Sequence, residues 1–267
     1  MAVNDSLLYI QSLFMSRIPI AGGMSEFYLG NSTLIQVWDN FGYTLNGFMT
    51  SFNLLGHTAI AFNRFSSLFL SQRYQWMWSG RRLTSVVILL FVLSLISVCY
   101  RIYGPFHYIL TVDGVVALYD DPVIRQIYPI ERTAIFVSTS ILTLVLEAST
   151  GIKYRLIWHK LNPYNKVSYN KDMQLFLHSI FIFISHCMMT SYFILYWIAI
   201  LNGLSGLLHG SQQCVPLIFD FMCLGAPVFL FCVSTVVRKN YLDFYRIRKL
   251  NIANKLSPQT VTYLNVT

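Results

Sequence analysis

The chain has 267 residues, of which 55% are hydrophobic, 16% aromatic and only 11% charged, against about 25% charged in an ordinary soluble domain. That composition excludes a soluble globular protein and fits one membrane bundle with no soluble domain of useful size beside it. The net charge of +8 would suggest nucleic acid in a soluble chain; here the placement of Lys and Arg matters more than their sum, and no nucleic-acid partner is expected.

In chain order, residues 6–23 read as a first apolar helix that enters at Ser6, carries Arg17 and bends near Pro19. A secretory signal is rejected because no basic segment precedes it and an Arg interrupts the apolar run. Residues 24–40 read as a loop with the glycosylation sequon Asn31-Ser32-Thr33. The stretch 41–70 then organises the chain. Its Asn46, Thr50, Asn53, His57 and Arg64 follow at helical steps and form one polar stripe on an otherwise apolar helix. Such a helix turns its back to lipid or neighbouring helices and its stripe to a bundle interior. Whether the stripe only bonds to other helices or also meets a ligand is open at this level.

A connection with Arg73, Arg81 and Arg82 leads to a span at 83–103. The long connection 105–130 contains Asp113-Gly114 between two β-rich runs, a hairpin signal, so a short hairpin is expected over the bundle. Further spans are expected at 131–151, 175–200 and 214–237, the last two joined by a chargeless loop around NGLSGLLHGSQQ. After the last span, Tyr241, Phe244, Tyr245 and Leu250 share one side of an amphipathic helix, so the chain divides into a bundle, 1–237, and a tail, 238–267. Lys and Arg crowd the connections 71–83 and 152–173 and the tail, which places those segments and the C-terminus in the cytoplasm and Asn31 outside. Six spans then put the N-terminus in the cytoplasm too.

Three segments carry a family resemblance. Asn63-Arg64-Phe65 with the following SSLFLSQRYQWMWSGR resembles the NRF-type signature of nematode serpentine chemoreceptors, the superfamily containing the gamma and V classes. LLYIQSLFMSRIP resembles their second helix, and DFMCLGAPVFLFCVSTVVRKN their seventh. The resemblance implies an all-α polytopic membrane protein with a rhodopsin-like seven-helix bundle, about six of whose spans are present, the first helix being absent and 41–70 taking the place of the third. It also implies a small-molecule or pheromone-like ligand, a heterotrimeric G protein as partner, and the plasma membrane of a sensory neuron.

Arg17 and Asp220 lie at similar depths on helices that would be neighbours, so an ion pair is expected between them, structural or ligand-binding. Asn46, Thr50 and Asn53 are the other expected ligand contacts. His57 and His186 fall at one depth, as proton sensors or as hydrogen-bond partners. Arg64 resembles the Arg of the receptor activation switch, with Glu147 as a substitute partner for the acid that Asn63 replaces; alternatively it snorkels to the interface. Asn63, Phe65, Arg238 and Lys239 complete the expected coupling end. The five cysteines offer no external disulfide, and the histidines form no metal-ligand spacing. No cofactor, metal or catalytic group is expected. A ligand-gated channel or transporter is the alternative, although repeated halves are not evident.

Overall fold

A computed structural model describes residues 2–18, 25–29, 33–111, 114–158, 166–234 and 237–243. Helix α1, Ala2–Ser12, continues into a π-turn, Leu13–Arg17, and a single helical turn, α2, follows at Ser25–Tyr28. Helix α3, Thr33–Phe69, is the central rod; it packs against α1, against α5 (Gly80–Ile96), against α6 (Pro122–Trp158) and against strand β1 (Phe106–Thr111). The short α4, Ser71–Met77, joins α3 to α5, and a 3-10 turn, Cys99–Tyr103, ends α5. Helix α7, Lys166–Asn202, packs on α6 and on α8, Ser205–Asp220; a second π-turn, Phe221–Gly225, carries α8 into α9, Ala226–Val233.

Among the described residues, four segments are long and apolar enough to cross a membrane by length and composition: Gly80–Tyr103, Pro122–Ile157, Phe176–Asn202 and Ser205–Val233. Helix α3 is not one of them, although at 37 residues it has ample length. The reason is its inward face: packed against other elements, it buries small and polar residues such as Gly42, Gly47, Thr50, Ser51, Asn53, Gly56 and Thr58. Small residues let helices approach closely where lipid gives no hydrophobic drive between them. The peripheral α5 is the opposite case, with Val87, Ile88, Leu89 and Phe91 all exposed, as a lipid-facing surface requires.

The helices run past the boundaries expected from hydropathy. Helix α1 starts at Ala2 rather than Ser6, and α3 at Thr33, inside the segment 24–40 read as loop. The expected loop around NGLSGLLHGSQQ is mostly helix: the break is confined to Gly203 and Leu204, where Gly203 takes the left-handed φ of +64° and ends α7. Hydropathy marks only the part of a helix that sits in hydrocarbon, while backbone hydrogen bonding carries the helix on into the interface. Of the tail, 238–243 is helical, and the rest of the expected amphipathic helix lies outside the described residues.

Strand β1 pairs antiparallel with β2, Gly114–Tyr119, from Phe106 opposite Tyr119 to Thr111 opposite Gly114; Asp113 lies outside the described residues. One face of the ribbon is aromatic and buried. Phe106, Tyr108 and Tyr119 pack onto α3, where the Tyr43 ring stacks on Phe106 at 3.8 Å. Two phenols from outside α1 cap its π-turn: Tyr28 donates to the Phe14 carbonyl at 2.6 Å and Tyr108 to the Met15 carbonyl. A π-turn lengthens the hydrogen-bonded ring and disturbs the regular i to i−4 pairing, so a buried carbonyl there needs a donor from elsewhere. Burial, and next the Asp39 carboxylate, hold the Tyr108 phenol well above its ordinary pKa, so it stays protonated and donates.

Candidate ligand cavity and coupling end

Below the aromatic ribbon, α3, α6, α7 and α8 enclose a cavity of about 40 Å³. Tyr43, Asn46, Gly47 and Thr50 line it from α3, Tyr128 and Arg132 from α6, Tyr192 and Phe193 from α7, Val215 and Phe219 from α8, and Arg101 from the turn after α5. Of the expected ligand residues, then, Asn46 and Thr50 line this cavity, and Thr50 donates to Asn46 Oδ1 at 3.3 Å.

The others are placed elsewhere. Asn53, one turn further along α3, donates instead to Asp5 of α1. Arg17 and Asp220 form an ion pair with about 30% of each side chain exposed, and Arg17 also reaches the Pro216 carbonyl at 3.4 Å and lies 5.4 Å from the Tyr9 ring. Each member of the pair sits at a π-turn: Arg17 closes the first, and Asp220 immediately precedes the second. Pro227, which has no N–H to give to the preceding turn, stands two residues beyond the end of the second. Asn31 lies outside the described residues.

The most buried charges of the cavity were not among the expected site residues. Arg101 and Arg132 are each 1% exposed. Both guanidiniums approach Glu131 Oε2, at 3.5 Å and 3.2 Å, and Tyr100 donates to the same oxygen at 3.0 Å. Arg132 also donates to Ser51, and the Arg101 guanidinium lies 4.5 Å from the Tyr128 ring centre, a cation–π contact. Gly47 provides the room: a Cβ there would fall 2.9 Å from Arg132 Nη2 and from Arg101 Cζ. A signal for the site was present in the sequence. Arg101 near the end of an apolar span and Glu131-Arg132 at the start of another are ionisable residues at membrane depth, which default to function.

Toward the other end of α3, Arg64 donates to Ser179 of α7. Glu147 of α6 is buried, with Ser179 and Arg64 as its electrostatic neighbours. Phe65 stacks on Phe69 at 4.5 Å, and the Lys153 ammonium lies 5.4 Å from the Phe69 ring. Trp78 ties the following turn back by donating to Ser66 at 2.8 Å. A second cavity, of about 320 Å³, is walled by Asp5, His57, Arg64, His178, Ser179 and Pro227 among others. Between the two cavities the His57 and His186 rings stand 5.4 Å apart. Arg238 and Lys239 are exposed just beyond the bundle, and Asn63 lines a separate groove between α3 and α5.

A mostly helical chain with long apolar helices around a polar central helix defines a multipass membrane protein. Its sequence matches the family model described as Srg family chemoreceptor over residues 3–241. The chain belongs to that family of serpentine chemoreceptors. No curated protein matches it.

Proposed function

We propose that the chain is a chemosensory G-protein-coupled receptor of the plasma membrane. It binds a small molecule in the cavity beside Asn46 and Thr50 and couples to a heterotrimeric G protein at the Arg64 end, with its C-terminus in the cytoplasm. The observation that carries the reading is one helix, α3, lining a cavity of mixed polar and apolar walls with one end and joining the Arg64, Ser179 and Glu147 cluster with the other. Membership of a chemoreceptor family supports it, as do the Lys and Arg concentrated on one side of the expected spans. Asn63, Phe65, Arg238 and Lys239 then belong to the coupling surface, and Arg17 with Asp220 to the wall of the bundle near the ligand.

The experiment is a screen of small molecules against cells expressing the chain with a G-protein reporter, while membrane current is recorded. The expected result is a response that disappears when G-protein signalling is blocked and weakens in Asn46→Leu and Thr50→Val. A ligand-evoked current that persists under the block would replace the receptor with a channel.

A further inference from the structure

We infer that the cavity under the aromatic ribbon is an anion site, and that Arg101 and Arg132 hold the carboxylate head of a small organic acid. The inference rests on the reading of this cavity as the ligand site and adds the chemistry of the ligand. Two guanidiniums, both buried and permanently charged, face the cavity, and among the described residues Glu131 is the acid in reach of both. The cluster therefore carries one positive charge in excess. In a bundle interior such a charge is expensive until an anion enters.

The hydrogen bonding points the same way. Arg132 Nη2 is buried without a hydrogen-bond partner, as is Arg101 Nε. Both residues line the cavity, and Nη2 lies close over Gly47, where a Cβ would come within 2.9 Å of it. Unpaired N–H groups on two neighbouring guanidiniums match a carboxylate, whose two oxygens can each accept a bond, better than they match a spherical ion. Asn46 and the Thr50 hydroxyl flank the space. At about 40 Å³ the cavity takes a carboxylate or a few waters but not a drug-sized body, which needs roughly 300 Å³ or more. The head therefore enters here, and any long tail has to extend beyond the cavity, past lining residues such as Tyr192, Phe193 and Phe219.

The test uses the purified full chain in lipid nanodiscs and follows its thermal unfolding. Acetate, butyrate and benzoate are titrated against acetamide, butyramide, benzamide and chloride at matched ionic strength. A ligand that binds only the folded protein raises its unfolding temperature saturably, so the carboxylates are expected to do so and the amides and chloride not. Arg132→Gln is expected to weaken the carboxylate effect by about tenfold or more. Glu131→Gln, which removes the internal counter-charge and leaves both guanidiniums, is expected to strengthen it by about tenfold; Gly47→Ala is expected to weaken it. Should Arg132→Gln fail to fold, the opposite signs of the last two variants decide.

Equal shifts from amides and carboxylates, equal shifts from chloride, or no carboxylate shift at all would overturn the assignment. Carboxylate-specific stabilisation without G-protein activation in cells would remove the receptor reading and leave the anion site standing. Activation by uncharged ligands that is indifferent to Arg132→Gln would do the reverse.

Discussion

Four arginines inside the bundle meet partners from other helices or turns. Arg17 has Asp220, Arg64 has Ser179 and the neighbouring Glu147, and Arg101 and Arg132 share Glu131. An isolated charge at membrane depth is costly, so removing one partner leaves the other uncompensated. For the Arg17 and Asp220 pair this gives a clear expectation. Reversing either charge alone places like charges together and is expected to cost about 1–2 kcal/mol, enough to lower surface abundance several-fold; the double reversal, Arg17→Asp with Asp220→Arg, is expected to restore it. Surface labelling of intact cells measures this, and a double variant no better than the singles would remove the pairing from the account. The pair was legible in the sequence because two opposite charges at similar depths in apolar segments have few alternatives. The Arg101 cluster was harder to read, since Arg101 and Arg132 stand near expected span ends, where a snorkelling side chain looks the same in sequence.

The elements that shape the cavity depend on irregular turns. The first π-turn ends at Arg17, and its Met15 carbonyl takes the Tyr108 hydroxyl from the ribbon. The hydroxyl thus clamps the β-ribbon to α1 over the cavity. Tyr108→Phe keeps the ring and its burial but orphans a buried carbonyl, with an expected loss of roughly 1–3 kcal/mol. Thermal unfolding of the purified variant would show a lowered midpoint, and an unchanged midpoint would mean that the carbonyl has another donor. The ribbon was foreshadowed by Asp113-Gly114, because that dipeptide favours a tight hairpin turn. The π-turns were not, because they arise where a proline or a tertiary contact disturbs a helix that is regular in sequence.

At the scale of the molecule, α3 runs from the cavity, through the level of His57 and His186, to the Arg64 cluster. A receptor of this design is two-state, and any contact made only at rest biases it toward the inactive form. If the buried Glu147 carboxylate restrains Arg64, Glu147→Gln removes its charge at nearly constant shape. A bias of about 1 kcal/mol changes a two-state ratio roughly fivefold, so basal G-protein signalling is expected to rise by about that factor. Unchanged basal output at equal surface expression would assign Glu147 to packing alone.

What the sequence by itself determined was the membrane class, the central polar helix and the chemoreceptor family, because composition, a 3.6-residue period and short motifs are local properties. Only the tertiary structure decided that Asn46 and Thr50 share a cavity while Asn53 turns to Asp5. It alone brought Arg101 and Arg132, thirty-one residues apart, onto one carboxylate across the small gap at Gly47. Periodicity tells which face of a helix is turned inward; which partner waits there depends on how separate helices dock, and that is fixed by packing between segments far apart in the chain.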